Sequence, residues 1–206
     1  MSSIQASLPS RTSESTYFSD AFISRVSIGD EEQALIQACI NGNHTAQYTL
    51  YKRYASKMFS ICLRYAPDYH TAEDLLQDGF IKIYSRLGQY QQKGHLSKWM
   101  QRIFVNLAID RYQKSIRSIA ESELTTVDVP ASNMYNALDK LEHEDLLKAV
   151  QALPSHYRLV FNLYALEGHT HEEVADLLQI SKGTSKSYLS RARHKLQLSL
   201  IKGECN

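Results

Sequence analysis

Apolar side chains recur at steps of three and four residues through most of this chain, a spacing that lines them along one face of an α-helix. The pattern starts near Asp30 and breaks at residues 41–43 (Asn-Gly-Asn) and again at residues 67–68 (Pro-Asp), which indicates successive helices joined by short turns. Gly and Pro number only 8 and 4 among the 206 residues, so few positions are available to interrupt helices. No segment alternates apolar and polar residues as a half-buried strand does. The sequence therefore predicts an all-α fold.

The helical pattern fails between roughly residues 116 and 136, where the chain is polar and contains Pro130. This failure predicts a flexible linker between two small helical domains. The expected organisation is an N-terminal flexible tail (1–28), a first domain (29–115), the linker (116–136), a second domain (137–200) and a short C-terminal tail (201–206).

Two helices of the first domain are predicted in detail. The third should run over residues 71–87 with Thr71 as its N-cap, and the fourth should start near Ser97. Their inward stripes are expected to be Leu76, Phe80, Ile83 and Leu87 on the third helix, and Trp99, Ile103 and Leu107 on the fourth.

The sharpest local pattern lies between residues 170 and 197. Thr170 is followed three residues later by Glu173, the form of a capping box, just ahead of a short apolar helix. A turn at residues 179–181 follows, with Ile180 pointing inward and Ser181 able to cap a second helix. That second helix buries Leu189, Ala192 and Leu196 and shows short polar and cationic side chains on its opposite face, namely Lys186, Ser187, Ser190, Arg191 and His194. This is the pattern of a helix-turn-helix that places its second helix in the major groove of DNA. An ordinary helical hairpin with a basic face is the alternative.

The net charge of +1 conceals an uneven distribution along the chain. Residues 86–117 hold seven Lys or Arg and one acid, and residues 182–202 hold six Lys or Arg and no acid. Between them, residues 120–146 hold seven acids and one Lys. Two basic segments on separate helices predict a polyanionic partner.

Several classes of protein are disfavoured. No stretch approaches the roughly 20 apolar residues of a membrane helix, so no membrane insertion is expected. Cys39, Cys62 and Cys205 are widely spaced, which favours reduced thiols and a cytoplasmic location. His169 and His171 hint at a metal-ligand pair, but no third ligand lies nearby in the sequence and no phosphate-binding glycine loop or nucleophile elbow is present. We expect neither enzymatic activity nor a cofactor nor a metal site.

Three segments in series resemble the extracytoplasmic-function (ECF) sigma factors, the small two-domain class of bacterial RNA polymerase sigma subunits. Residues 72–84 (AEDLLQDGFIKIY) resemble region 2.2, and residues 99–114 (WMQRIFVNLAIDRYQK) resemble the joined regions 2.3 and 2.4. Residues 153–197 resemble region 4, above all in the core SKGTSKSYLSRAR at residues 181–193. The order of the segments and the linker between them also resemble the family.

The resemblance implies a task for each surface and three partners: core RNA polymerase, promoter DNA and an anti-sigma factor. Region 2.2 would dock on the clamp helices of the polymerase β′ subunit through Asp74, Gln77, Asp78 and Ile81. The 88–96 loop and the helix after it would read and melt the −10 element through Tyr90, Lys98, Arg102, Asn106 and Arg111. Region 4 would touch the β flap and read the −35 element through Lys182, Thr184, Lys186, Ser187, Ser190 and Arg191.

Two residues depart from the usual helix-turn-helix pattern. Gln179 stands in the turn where Gly is common, and Ser185 occupies an inward position usually filled by Val. Both are expected to affect the angle of the recognition helix, and so the promoter sequence that it reads.

A stand-alone helix-turn-helix regulator that binds an operator as a dimer is the main alternative. It needs a dimerisation surface, yet the sequence shows no heptad seam, and it leaves Asp74 and Asp78 without a task.

The spacing of the promoter elements constrains the linker. They lie about two duplex turns apart, roughly 70 Å at ~34–36 Å per turn. A linker of about 22 residues spans at most ~70–80 Å when fully extended.

Overall fold

The computed structural model of the chain describes residues 28–91, 93–121 and 141–203, and within these ranges it contains α-helices and no strand. The α-helices, in chain order, are α1 (Ile28–Ile40), α2 (His44–Tyr65), α3 (Tyr69–Arg86), α4 (Leu96–Glu121), α5 (Leu141–Gln151), α6 (Ser155–Phe161), α7 (His171–Leu178) and α8 (Lys182–Gly203). A 3₁₀ turn (Leu87–Gln89) follows α3, and a π-helical turn (Asn162–Leu166) follows α6. The all-α prediction is confirmed. The expected N-terminal tail and most of the expected linker lie outside the described residues.

Side-chain caps fix where the early helices begin. Asn43 caps α2 by accepting a hydrogen bond from the backbone N–H of Ala46 at 3.0 Å. Asp68 caps α3, because its carboxylate accepts from the backbone N–H of Thr71 at 2.7 Å. The prediction that Thr71 is the N-cap was therefore wrong: Asp68 follows Pro67 in an extended conformation, and the helix starts two residues before Thr71.

Helix α4 differs from its prediction at its far end and in its buried face. It continues to Glu121, into the segment expected to be linker from residue 116. Residues 116–121 contain no Gly or Pro, and Ile116, Ile119 and Ala120 keep the helical spacing of three and four residues. On its inner face Ile103 is buried as expected, while Trp99 and Leu107 are only half-buried. The deepest side chains are Met100 and Phe104, so the buried face lies about one residue further along the helix.

Helices α2, α3 and α4 pack around a contiguous apolar core. The expected stripe of α3 is confirmed, since its four members (Leu76, Phe80, Ile83 and Leu87) are all buried there. The second domain adds to the same core through Leu159, Val160 and Leu163. A smaller cluster of Ala149, Val150, Leu153, Ala192 and Leu196 holds α5 against α8. The two domains therefore pack directly against each other.

Gly79 is a point of close contact between α3 and α4. A Cβ atom at this position would lie 1.9 Å from the Cε1 atom of Phe104, whose ring is fully buried. The contact also brings Phe104 within 5.9 Å of the Phe80 ring, centroid to centroid. Only a residue without a side chain permits this helix pair to pack as it does.

We expect Gly79→Ala to lower the free energy of unfolding by about 1–2 kcal/mol. The clash with Phe104 should outweigh the better helix propensity of alanine, which is worth about 1 kcal/mol. Urea denaturation followed by circular dichroism measures the change. Gly88→Ala is the matched control, because no heavy atom lies within 4 Å of its Cβ position, and it should shift stability by less than about 0.5 kcal/mol. Equal effects from both substitutions would contradict the packing argument.

Candidate nucleic-acid interface

Helix α7, the first helix of the helix-turn-helix, begins with the capping box expected from the sequence. The Thr170 hydroxyl accepts a hydrogen bond from the backbone N–H of Glu173 at 3.2 Å, and the Glu173 carboxylate accepts from the backbone N–H of Thr170 at 2.7 Å. The Thr170 hydroxyl also donates to this carboxylate at 3.0 Å, and the two bonds that the carboxylate accepts from Thr170, the backbone one first, lower the pKa of Glu173. On the inner side Val174, Ala175 and Leu178 are buried. The capping box thus fixes where α7 begins, and the buried side chains hold the helix against the core.

The turn between α7 and α8 places Gln179 in the left-handed region, with φ 56° and ψ 44°. The backbone N–H of Ile180 donates to the Ala175 carbonyl at 3.0 Å, and the Ile180 side chain, which was expected to point inward, is half-buried. Ser181 then caps α8, because its hydroxyl accepts from the backbone N–H of Thr184 at 2.9 Å. The Thr184 hydroxyl, expected to contact DNA, lies 2.8 Å from the Ser181 hydroxyl and is half-buried.

Replacing Gln179 tests whether this turn is strained. We expect Gln179→Gly to raise the free energy of unfolding by about 0.5–1 kcal/mol, because glycine adopts positive φ without the steric cost that a Cβ brings. Gln179→Val should lower it by more than about 1 kcal/mol, since a β-branched side chain fits this region worst. Chemical denaturation of both variants gives the comparison. A stabilising Val or a destabilising Gly would show that the turn does not hold this conformation.

Helix α8 exposes a polar and cationic face opposite its buried stripe. Leu189, Ala192 and Leu196 are buried as expected. On the other side Lys186, Ser190, Arg191 and His194 are exposed and Ser187 is half-buried. Lys182 forms an ion pair with Glu172 at the start of α7, and an Arg191 N–H donates to the Tyr157 hydroxyl at 3.4 Å. Such a face can offer Arg to guanine edges and Lys to phosphates.

Ser185, whose buried hydroxyl departs from the usual pattern, has a partner in the structure. It is fully buried, and its hydroxyl lies 3.0 Å from Nδ1 of His171. The imidazole stacks on the Tyr164 ring at 4.3 Å between centroids, with the planes 24° apart. Burial, reinforced by Lys186 and by the neighbouring cations Lys182 and Arg193, lowers the pKa of His171. His171 therefore ties the first turn of α7 to α8, a contact that the sequence patterns did not indicate.

A second candidate surface lies where the 88–96 loop meets the start of α4. A cavity of about 380 Å³ opens there, and the Tyr90, Lys98, Trp99 and Arg102 side chains contribute to its wall. The Tyr90 ring lies 5.4 Å from the Trp99 ring, and the Tyr90 hydroxyl donates to the Gly94 carbonyl at 2.5 Å. Aromatic walls beside cationic side chains are what an unstacked base and its backbone need. Asn106 is exposed one turn further along α4.

Arg111 is placed differently from the other residues expected at the −10 element. Its Nη2 atom lies 2.6 Å from Oδ2 of Asp78, which was assigned to polymerase binding, and its Nη1 donates to the Thr71 carbonyl at 3.4 Å. A neighbouring pair, Lys82 and Asp110, also joins α3 to α4 at 3.4 Å. The structure thus pairs Arg111, which was expected to contact the −10 element, with Asp78, which was expected to contact core polymerase.

The rest of the α3 face is open. Asp74 and Gln77 are exposed, and Ile81 is 68% exposed although it is large and apolar. An apolar side chain beside acids on an exposed helix face suits a protein partner better than it suits DNA.

Two family models match the chain, and together they take in more than half of it. Residues 50–117 match "Sigma-70 region 2" and residues 143–196 match "Sigma-70, region 4". The RNA polymerase sigma-H factor of Pseudomonas aeruginosa is 26% identical over 83% of this chain and 94% of its own length. The ECF RNA polymerase sigma factor SigM of Bacillus subtilis is 28% identical over 75% of this chain and 94% of its own. The chain belongs to the ECF group of the sigma-70 family.

This ECF sigma factor directs the initiation of transcription. The solved sigma factor RpoE of Bartonella quintana, in complex with the anti-sigma factor NepR, aligns with a TM-score of 0.48 at 24% identity, over 75% of this chain and 96% of that one.

The histidines that hinted at a metal site turn toward other partners. His169 lies 3.8 Å from the Glu173 carboxylate, and His171 faces Ser185. Within the ranges that the structure describes, no three His, Cys, Asp or Glu side chains gather where they could hold a metal ion. In the same ranges no helix combines the length and the apolar character needed to cross a membrane.

Proposed function

We propose that this sigma factor binds core RNA polymerase through α3, reads the −35 element with α8 and reads the −10 element with α4 and the 88–96 loop. Region 2 would occupy residues 29–115 and region 4 residues 137–200. The observation that carries the proposal is the face of α8, where Lys186, Ser190 and Arg191 are exposed while the opposite side is buried against α7 and α5. A helix-turn-helix held in this way presents its second helix to the major groove.

The −10 task is proposed for the cavity at the start of α4. An unstacked base of the non-template strand would enter beside Tyr90, while Lys98 and Arg102 hold the backbone and Asn106 extends the contact along the helix. Trp99 serves as a wall of this cavity and as a partner for Tyr90.

The polymerase task is proposed for Asp74, Gln77 and Ile81, with Asp78 at the edge of the surface because it is paired with Arg111. The clamp helices of the β′ subunit would be the contacting partner there, and the β flap would contact region 4. A separate anti-sigma factor would regulate the protein, which we place in the cytoplasm. We assign it no catalytic step of its own and no cofactor.

The first test concerns core binding. Ile81→Ser should weaken binding to core RNA polymerase by about 5-fold or more, because a large apolar side chain in an interface commonly contributes more than about 1 kcal/mol. Fluorescence titration with core enzyme measures the dissociation constant. Ile40→Ser is the matched control, since Ile40 is 42% exposed on α1, away from this surface. Equal weakening of core binding by both changes would show that α3 does not lie in the polymerase interface.

The second test concerns −35 recognition. Promoters are first identified by transcribing a fragmented genomic library with the reconstituted holoenzyme. On such a promoter, Lys186→Ala and Arg191→Ala should each lower initiation by about 5- to 150-fold, in keeping with ~1–3 kcal/mol per lost contact. Core binding should be unchanged in both. Lys148→Ala, which removes an exposed cation of α5, should have little effect.

Scrambling the −35 element decides whether the loss is specific. On the scrambled promoter Arg191→Ala should match the wild-type protein, because the base edge that Arg191 contacts is gone. Lys186→Ala should still lower initiation there, because a phosphate contact does not depend on the base sequence. Retention of duplex DNA by the chain without any binding to core polymerase would instead favour the stand-alone regulator.

A further inference from the structure

One residue of the proposed −35 surface is held by a side chain from outside its own helix. The Nη1 atom of Arg191, on α8, donates a hydrogen bond at 3.4 Å to the hydroxyl of Tyr157, on α6, which lies 34 positions away in the chain. Arg191 is exposed, and a long exposed side chain without a partner samples many rotamers in water. Tyr157 therefore restricts the motion of a side chain that the proposed function assigns to −35 recognition.

The start of α6 fixes the backbone of Tyr157. Pro154 precedes the helix, and its carbonyl accepts a hydrogen bond from the backbone N–H of Arg158 at 3.0 Å. The Arg158 guanidinium is buried, and its Nη1 donates to the Gln151 carbonyl at 2.5 Å and to the Leu153 carbonyl at 3.3 Å. Burial lowers the pKa of Arg158 to about 10, so this side chain stays charged at neutral pH. These bonds tie the first turn of α6 to the end of α5.

The ring of Tyr157 is fixed as well. It is half-buried and packs against the small apolar cluster that holds α5 to α8, which includes Ala192, the neighbour of Arg191. The Tyr157 ring centroid lies 4.2 Å from that of His156 and 5.4 Å from that of Tyr188. The His156 and Tyr188 rings are themselves 4.8 Å apart. Because tilted and edge-to-face ring pairs attract one another, this group of three rings holds the Tyr157 hydroxyl at a defined place beside α8.

A neutral hydroxyl orients Arg191 without competing for its charge. Lys182, at the start of α8, is paired with the Glu172 carboxylate, an acid that a DNA phosphate must displace or share. A phenol hydroxyl, by contrast, accepts a hydrogen bond without bringing a negative charge. A guanidinium has five N–H donors, so one bond to Tyr157 leaves enough of them to take both acceptors of a guanine edge. Arg191 is thus oriented and still available for DNA.

Orienting Arg191 in advance should strengthen DNA recognition. A side chain that becomes immobilised in an interface loses rotamer freedom, and this loss reduces the affinity that its contact adds. Where the guanidinium is already held, part of the loss has occurred before DNA arrives. For one such side chain the gain amounts to an affinity about 2- to 10-fold higher. The gain should appear only where Arg191 finds the base that it reads.

We propose that Tyr157 is a positioning residue for −35 recognition, whose hydroxyl holds the Arg191 guanidinium in the orientation that meets a guanine edge. The proposal rests on the function proposed above for α8. It adds a residue from outside the recognition helix to the set that determines which −35 sequence is read.

Tyr157→Phe removes the hydroxyl and keeps the ring that packs against His156 and Tyr188. At the promoters identified with the reconstituted holoenzyme, this variant should lower initiation by about 2- to 10-fold. Its affinity for core polymerase and its urea denaturation midpoint should equal those of the wild-type protein. Tyr48→Phe is the matched control, because it removes the same group from a tyrosine that is 58% exposed on α2.

A double variant separates positioning from a general structural role. If Tyr157 acts through Arg191, adding Tyr157→Phe to Arg191→Ala should cause no further loss of initiation. On the scrambled −35 element Tyr157→Phe should match the wild-type protein, as Arg191→Ala does. Disturbed packing of α6, or a DNA contact made by Tyr157 itself, would instead lower initiation equally in the wild-type and Arg191→Ala backgrounds.

The proposal is supported by a loss at the identified promoters that disappears both on the scrambled element and in the Arg191→Ala background. An equal loss in both backgrounds would overturn it. So would unchanged initiation by Tyr157→Phe at a promoter where Arg191→Ala reduces initiation, and in either case Arg191 would keep its assignment to the −35 element. Unchanged initiation by Arg191→Ala would reject that assignment and the positioning role together.

Discussion

The contact between Phe104 and the surface of α3 at Gly79 sets the geometry of region 2. It brings α3 and α4 so close that no side chain fits between them at that point, and it fixes the register of one helix against the other. The same register places Arg111 on Asp78 and Lys82 beside Asp110. Because α3 carries the proposed polymerase surface and α4 the proposed −10 surface, this packing sets the angle between the two. A shift of either helix would change the angle between these two proposed surfaces.

The helices themselves were predictable from the sequence, because apolar spacing and turn residues act locally. The breaks at Asn43 and Pro67 and the capping box at Thr170 all appear in the structure. The buried face of α4 was misjudged by about one residue. Its apolar residues are so numerous, with Trp99, Met100, Ile103, Phe104 and Leu107 in one stretch, that periodicity alone does not choose among neighbouring faces, and tertiary packing decides.

The exposed residues of α8 could also be located from the sequence, since a helix that buries one stripe must expose the opposite one. The polar residues that join separated segments could not. Asn162 lies within an apolar stretch and Glu167 lies beside a glycine. Their hydrogen-bond partners are on α2 and α4, about 65 to 100 residues away in the chain, so neither contact can be seen from the local sequence. His171 likewise matches Ser185 only once α7 and α8 are packed. Hydrogen bonds between distant side chains leave no periodic trace in a sequence.

The pair formed by Asp78 and Arg111 shows how one contact can be compatible with two assigned tasks. Asp78 has a side chain 54% exposed and Arg111 one 35% exposed, so the pair is largely hydrated. Exposed pairs of this kind stabilise a protein by only about 0–1 kcal/mol, and either member can exchange its partner at small cost. A polymerase cation near Asp78, or a phosphate near Arg111, can therefore replace the internal partner without unfolding α3 or α4. By contrast Gly79 has no alternative partner: the buried ring of Phe104 fills the position, and region 2 keeps its shape while its surface charges change partners.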